Sequence, residues 1–439
     1  MKVLKFGGTS VGSADRIQHV ADLVSSRDRN IVVLSAMSGT TNMLVEISDY
    51  LYKGNAEAAV RLIGMLEEKY ILTVNNLYTK PESKQEALAV IKDVFSLLRS
   101  YARKHTFTAV DEKVILAQGE IMSVAMMTAL LNERGLKAVA LPALEFMKTN
   151  ADADPDMAHI ENHIKPLLDA APEAEIFITQ GFICRNAAGE VDNLQRGGSD
   201  YTASIIGAAV NADEIEIWTD IDGMHNNDPR FVEKTRPVHN LHFEEASELA
   251  YFGAKILHPT CVLPAKMSNI PVRLLNTLEP TAEGTLISSK TSTPHIKAVA
   301  AKDNITAIKI KSSRMLLAYG YLKSVFETFE QYKTPIDMIA TSEVGVSLTI
   351  DNDKFLPEIL SDLKKFGTVT VDKDMVIICV VGDMEWTNTG YEAKALDALS
   401  DIPVRMISYG GSNYNISFLI RKEDKVKALN SLSKMLFKD

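Results

Sequence analysis

Lys5 closes a short apolar run and is followed by Phe6, the glycine pair Gly7-Gly8, Thr9 and Ser10. Paired glycines between a strand and a helix present backbone N–H groups that can cradle phosphate oxygens, and a neighbouring lysine adds a cation. A tight turn beside a solvated lysine has the same local signature. A second glycine pair lies in Leu194-Gln195-Arg196-Gly197-Gly198-Ser199-Asp200-Tyr201-Thr202, which opens a helix of small residues with an arginine before the glycines and an aspartate after them. Gln118-Gly119-Glu120 sets a carboxylate inside a third segment. Two glycine-rich turns with Lys5, Arg196, Asp200 and Glu120 suit phosphoryl transfer, in which positioning and charge neutralisation supply most of the catalysis. A carboxylate acceptor fits well, because with a pKa near ~3.9 it is already a nucleophile at neutral pH and needs no general base. The nine histidines form no triad-like pattern near these turns. Arg196 can grip a carboxylate through two parallel hydrogen bonds, and Glu120 can receive an ammonium. Together they describe an amino-acid pocket, although each alone also reads as a surface ion pair.

These residues need a scaffold. At 439 residues the chain exceeds one core and is expected to form two or three domains. Apolar residues make up 46% and charged ones 24%, the balance of a globular protein, and the net charge of −10 argues against nucleic-acid or anionic-membrane partners. Cys184, Cys261 and Cys379 are odd in number and far apart, so neither a disulfide framework nor a zinc site is indicated and the cytoplasm is the expected compartment. No 18-residue apolar run or signal peptide is read.

After the opening strand, Ser13 to about Arg29 predicts a helix capped by Ser13 or Asp15. Ile31 to Leu34 is a continuous apolar run, as in a strand buried on both faces, and it leads into the small polar loop Ser35 to Asn42. Open α/β sheets bind ligands at this edge. Asn42 to Lys104 reads as charged helices covering one side, and Glu112 to Arg134 as a helix with Gly119 inside. Glycine there costs about 1 kcal/mol relative to alanine, which points either to a close approach or to helix packing. Strands follow at Lys137 to Leu141, Glu175 to Ile183 and Glu214 to Trp218, with a hairpin loop at Arg185 to Asn193. The alternation predicts a parallel α/β sheet covered on both faces through about residue 290.

Thr291-Ser292-Thr293-Pro294 reads as a linker. Beyond it, Asn304–Lys311, Gly320–Lys333, Ile336–Thr341, Gly345–Ile350, Lys354–Lys365 and Thr368–Val371 give the order βαββαβ. A second copy runs from Met375 to Leu436 and stops one strand short. Ile296 to Ala300 alternates like a strand and belongs to no other unit, so the first copy is expected to be inserted in the second.

Lys5 to Val11, Gln118-Gly119-Glu120, Gln180-Gly181-Phe182-Ile183, Arg196 to Ala203, Trp218-Thr219-Asp220 with Asp228-Pro229-Arg230, and Phe252 to Pro259 together resemble the motif set of the aspartate kinases. The resemblance runs from residue 1 to the C-terminus. It implies an α/β protein with an amino-acid-kinase fold, a mainly parallel sheet sandwiched by helices, over 1–294, followed by tandem ACT domains of βαββαβ type over 295–439. The first would span 303–373 and sit within a second formed by 295–301 and 374–439. The implied activity is phosphorylation of the aspartate β-carboxylate by ATP with Mg²⁺, at the head of lysine, threonine and methionine biosynthesis.

Carried over by position, the resemblance makes Lys5 the cation on the transferring phosphoryl group and gives Asp200 the task of orienting it. Gly7, Gly8 and Ser10 would line the phosphate loop. Ser35, Thr41, Glu120, Phe182, Arg196 and Ser199 would bind aspartate, and Thr219, Asp220, His225, Arg230 and Lys255 would hold ATP. No direct Mg²⁺ ligand is assigned. His225 stands where tyrosine is usual in the family. Lys255 alone would also read as the end of a helix before Pro259.

The tail resembles that of the lysine-sensitive, single-function members. Met315, Tyr321, Asp337, Thr341, Ser342 and Glu343 fall where that class binds its effector, and Ala318 replaces the usual serine. Lysine is the expected effector, with threonine as the alternative. Pairing of such domains implies a homodimer or larger homo-oligomer, and a dimerisation module without a ligand site remains open. Two other functions stay in view. One is an amino-acid kinase acting on glutamate or carbamate. The other is a silent amino-acid sensor, which leaves the intact Lys5, Asp200 and Lys255 unexplained.

Overall fold

The computed structural model describes residues 1–439 apart from 27–28, 195–196, 254–256, 291–294, 316–318 and 438–439. The linker read at 291–294 thus lies outside the described residues. Packing divides the chain into two units, Met1–Gly223 with Leu257–Ser289, and Met224–Ile256 with Lys290–Asp439. This differs from the sequence boundary at 294, because Phe231 and Val232 share a hydrophobic core with Val376, Phe418 and Leu429. The Asn227 side chain also donates to the Leu429 carbonyl at 3.1 Å.

In chain order the first stretch runs β1 (Lys2–Phe6), α1 (Ala14–Ser25), β2 (Asn30–Leu34), α2 (Thr40–Tyr52), α3 (Ala56–Leu77), α4 (Pro81–Tyr101), α5 (Ala109–Glu133), β3 (Ala138–Leu141), α6 (Ala143–Phe146), α7 (Met157–Asp169), β4 (Ile176–Gln180), β5 (Ile183–Arg185), β6 (Val191–Asn193), α8 (Gly198–Val210) and β7 (Ile215–Thr219). The short β8 (Asn240–His242) and α9 (Phe243–Tyr251) belong to the second unit. The chain then returns to the first through α10 (Pro259–Met267), β9 (Val272–Asn276) and β10 (Thr285–Ser288).

Within the first unit the sheet order is β3-β4-β2-β1-β7-β9-β10, parallel except for the β9–β10 pair. β2 and β4 are buried along their whole length, as strands covered by helices on both faces must be. Phe6 is in register with Leu34 and Trp218, and Leu34 with Gln180, so the carboxyl ends of β1, β2, β4 and β7 share one edge.

The charged stretch after β2 forms α2, α3 and α4, whose buried faces carry Leu44, Ile63, Tyr70, Ile91 and Phe95. α5 begins earlier than expected because Thr108 and Asp111 close a capping box. It is apolar around its circumference and long enough by composition to cross a membrane, contrary to the expectation of no such run, yet 78% of its apolar window is buried among the other helices.

The second unit continues with β11 (Ile296–Lys311), α11 (Tyr321–Gln331), β12 (Ile339–Ser342), β13 (Gly345–Ile350), α12 (Leu356–Leu363), β14 (Thr368–Gly382), α13 (Tyr391–Ala398), β15 (Met406–Tyr409), β16 (Asn415–Arg421) and α14 (Lys425–Leu436). These strands form an antiparallel sheet in the order β12-β13-β11-β14-β16-β15. Strands expected to be separate are continuous. Ile296–Ala300 joins Asn304–Lys311 in β11, and the runs before and after Asp372 join in β14. The two pair along their length, with register shifts between Lys302 and Ala307. Ile296–Lys302 lies against Ile377–Gly382, and Thr306–Lys311 lies between β13 and the start of β14. Two cores result, one around Ile308, Phe329 and Leu348, the other around Val299, Phe418 and Leu429.

Candidate active site

Lys5 emerges at the end of β1 with its side chain only 10% exposed, and its Nζ lies 2.7 Å from Asp200 Oδ1 in the first turn of α8. The glycine pair after it forms a turn of its own, and the helix starts where the sequence placed it, at the Ser13 cap. Gly8 to Val11 is a turn in which Ser10 N donates to the Gly7 carbonyl at 3.0 Å, and α1 begins only at Ala14, capped by Ser13. A side chain at Gly8 would come within 2.8 Å of the Ala36 carbonyl, so the turn presses on the loop after β2. Ser38 N fixes that approach by donating to the Gly8 carbonyl at 3.0 Å. Ser10 and Thr277 share a hydroxyl hydrogen bond of 2.7 Å. The helix N-termini at this edge are those of α2 and α8, entered through Gly39 and Gly197 at φ 81° and 76°. Thr41 therefore sits in the first turn of α2 rather than in a loop.

Gly8, Ser35, Thr41, Glu120, Phe182 and Ser199 line a cavity of about 410 Å³. Glu120 is 4% exposed. Its Oε1 accepts from Ala36 N at 3.2 Å, while Oε2 is buried without a partner. Burial pushes its carboxyl up to about 8, against the pull of the Ala36 N–H. Gly119 makes this placement possible: a Cβ there would meet Ala36 Cβ at 2.6 Å and Thr40 Cγ2 at 3.1 Å. Both sequence readings are met, because α5 approaches Ala36 closely and packs on α2 through Thr40 and Leu44. Ser35 donates to the Ser199 hydroxyl at 2.9 Å. Phe182 is held at φ 68°, a region that costs a non-glycine residue about 1–3 kcal/mol. Its N–H donates to Thr202 Oγ1 at 2.9 Å and its carbonyl accepts from Leu194 N at 2.7 Å, which keeps it there.

Three supporting residues escaped the sequence reading. Lys69 on α3 donates to the Ser38 carbonyl at 2.6 Å, and the neighbouring Tyr70 hydroxyl bonds Thr40 Oγ1 at 3.0 Å. Both tether the 36–40 loop from beneath. Their one sequence signal is the spacing Ile63, Leu66, Tyr70, Val74, which turns this side of a charged helix inward. Cys261 on α10 packs where a Gly197 side chain would have to stand, and burial pushes its thiol up to about 12.

The nucleotide candidates are divided between the units. Thr219 ends β7, where its hydroxyl accepts from Ile221 N at 3.2 Å, and Asp220 beside it is exposed. In the second unit, His225 Nδ1 is hydrogen-bonded to Thr235 Oγ1 at 2.8 Å. Arg230 forks onto Asp228, with Nε 2.9 Å from Oδ1 and Nη2 2.6 Å from Oδ2. Arg196, Lys255 and Ala318 lie outside the described residues.

Of the regulatory candidates, Met315 ends a short 3₁₀ turn and Tyr321 opens α11 edge-on to Phe366. Thr341, Ser342 and Glu343 are exposed at the end of the edge strand β12. The Asp337 side chain is 1% exposed and pairs with Lys302 at 2.7 Å.

The fold and these turns are those of an amino acid kinase with an ACT region, and the comparisons agree. The amino acid kinase family is matched over residues 1–276 and the ACT domain over residues 378–436. The lysine-sensitive aspartokinase 3 of Escherichia coli is 33% identical over 449 residues, covering 99% of each chain. The crystal structure of E. coli aspartokinase III with aspartate and ADP, in its R-state, aligns with a TM-score of 0.84 at 32% identity and covers all of both chains. The structure of that enzyme with lysine and aspartate, in its T-state, aligns at 0.81. The chain belongs to the aspartokinase family, and so to the ATP-dependent kinases.

Proposed function

We propose that this enzyme transfers the γ-phosphoryl group of ATP to the β-carboxylate of L-aspartate, giving 4-phospho-L-aspartate at the head of lysine, threonine and methionine biosynthesis. The assignment rests on one arrangement, a buried carboxylate with an unpartnered oxygen on a residue that lines a cavity next to a lysine–aspartate pair. Glu120 Oε2 receives the substrate ammonium. Ser35, Thr41, Phe182, Ser199 and Arg196 enclose the rest of the amino acid. Lys5, held by Asp200, offsets negative charge on the phosphoryl group as the β-carboxylate attacks in line. The turn at Gly7, Gly8 and Ser10 supplies phosphate donors, and Thr219, Asp220, His225, Arg230 and Lys255 hold the nucleotide. The E. coli relative crystallised with aspartate and ADP supports both substrates.

A phosphate-bound Mg²⁺ needs only one or two protein carboxylates, with substrate oxygens and water completing its shell. No group of three or more metal-binding side chains exists among the described residues, while Asp200 and Asp220 stand at the carboxyl edge of the sheet. That donor set fits an ion carried in with ATP, which when bound neutralises charge across the β- and γ-phosphates.

The catalytic domain is assigned to 1–294 and the tandem ACT region to 295–439, with 303–373 inserted between 295–301 and 374–439. The pairing of Ile296–Lys302 with Ile377–Gly382 supports the insertion. Lysine is the proposed effector, at Met315, Tyr321, Asp337, Thr341, Ser342 and Glu343, supported by the lysine complex of the E. coli relative. A homodimer or larger assembly through the ACT region completes the reading. Three buried free thiols suit a reducing cytoplasm.

ADP release measured with L-aspartate, L-glutamate and carbamate tests the assignment. Aspartate is expected to exceed the others by at least about 100-fold in kcat/KM. Preference for either of the other two refutes it.

A further inference from the structure

Lys302 sits inside an ammonium site made by its own chain. Its Nζ is 2.7 Å from Asp337 Oδ1, 2.9 Å from Asp351 Oδ2 and 4.1 Å from the centre of the Tyr251 ring. Two carboxylates and an aromatic face are the groups that recognise a primary ammonium. The Tyr251 hydroxyl donates to the same Asp337 oxygen at 2.7 Å. Asp337 Oδ2 is buried and has no partner. Burial raises the Asp337 carboxyl, while Lys302 and Tyr251 pull it back down and Asp351 pushes it further up.

The four residues come from four places. Tyr251 ends α9, Lys302 precedes the register shift of β11, Asp337 leads into β12, and Asp351 follows β13. α9 is also tied to the second repeat, where its N-cap His242 stacks on Tyr414 at 5.1 Å and Glu248, nearer Tyr251, accepts from Asn415. Tyr251 thus links the helix to the carboxylate assigned above to the effector.

We infer that Tyr251, Asp337 and Asp351 form a primary-ammonium site whose resident is Lys302, and that an effector carrying a side-chain ammonium binds in competition with it. The inference rests on the reading that Asp337 serves the effector. Asp337 is the one fully buried carboxylate of the pair, Asp351 being 40% exposed, and Lys302 already takes its charge, so the effector gains Asp337 to the extent that Lys302 withdraws. Its apparent affinity falls by the fraction of time the site is held internally. The exchange also changes what the Tyr251 hydroxyl and ring contact, at the end of α9 that leads into Phe252–Pro259.

The test uses the full-length protein and L-lysine, with L-norleucine as the same carbon chain lacking the side-chain ammonium. By calorimetry, Lys302→Met is expected to bind lysine about ten-fold more tightly than wild type. Equal or weaker binding by a folded Lys302→Met protein overturns the inference. A second measurement needs no variant: acylation of Lys302 by an amine-reactive reagent, read by mass spectrometry, is expected to rise several-fold when lysine is added and to be unmoved by norleucine. Unchanged or reduced labelling in the presence of bound lysine also overturns it. Absence of lysine binding to wild type and variant alike refutes the effector reading itself and removes the basis of the inference, an outcome distinct from equal binding to both.

Discussion

Lys5 Nζ and Asp200 Oδ1 stand 2.7 Å apart, joining the end of β1 to the first turn of α8 with side chains only 10% and 18% exposed. The two glycine-bearing turns that are far apart in the chain are thus registered on each other by one ion pair. In a site largely screened from water, such a pair fixes the ammonium where charge develops on a transferring group.

Replacing Lys5 by Met is expected to lower kcat by about 100- to 1,000-fold, the usual effect of losing one preorganised charge partner. KM for aspartate should change only a few-fold, because Glu120 and its cavity are untouched. Lys5→Arg should not restore the rate, since a planar fork cannot occupy the place of a compact ammonium. Steady-state kinetics decide: a rise in KM with kcat intact would assign Lys5 to ground-state binding instead.

Glu120 gives the site a pH dependence. Its carboxyl, pushed up to about 8 by burial, is mostly neutral in the free enzyme at pH 7, yet an ammonium-bearing substrate needs the carboxylate. KM for aspartate should therefore fall as pH rises from 6 toward 8.5, and Glu120→Gln should raise KM and flatten the profile. Stability has the opposite sense. The folded value lies above the unfolded value near 4.5, so the contribution of Glu120 is fully present below about 4.5 and is lost as pH rises through about 8. The Tm of Glu120→Gln relative to wild type should improve between pH 6 and 9, and a flat difference would contradict the burial argument.

Gly119 faces Ala36 so closely that an added methyl must displace one of them. Gly119→Ala is expected to cost about 1–3 kcal/mol of stability through overpacking and to raise KM for aspartate by shifting the Ala36 N–H from Glu120. Adding Ala36→Gly should recover part of both losses. Denaturation and kinetics in a double-mutant cycle measure the coupling, and strict additivity would show that the two sites are independent.

Lys69 reaches the cavity through its hydrogen bond to the Ser38 carbonyl. Lys69→Met is expected to raise KM for aspartate about three- to ten-fold with kcat nearly constant, and Lys69→Arg to return most of the loss. A fall in Tm without any change in KM would make the tether purely structural.

The strands that end at or next to Lys5, Ser35 and Thr219 were legible because burial on both faces leaves continuous apolar runs, and the two turns were legible through Gly8 and Gly197, where a side chain would collide with Ala36 and Cys261. What failed to show were relationships across long stretches of chain. Nothing local to Gly7-Gly8 reveals that the turn presses on Ala36. The apolar spacing around Lys69 turns that side of α3 inward without naming the carbonyl it tethers. Ala301-Lys302-Asp303 read as a break between two strands, yet β11 runs through them, with a bulge at which Asn304 adopts φ 61°. The grouping of 224–256 with the C-terminal unit depends on Phe231 and Val232 meeting Phe418 and Leu429, partners that no local pattern announces.

The most direct measurement is to trap the product. With ATP, Mg²⁺, L-aspartate and hydroxylamine, an acyl phosphate formed on the side-chain carboxyl yields aspartyl β-hydroxamate, identifiable by NMR, with ADP released in equal amount. Stoichiometric β-hydroxamate that is lost in Lys5→Met is the predicted result. ADP release without hydroxamate, or trapping at the α-carboxyl, would contradict the proposed transfer.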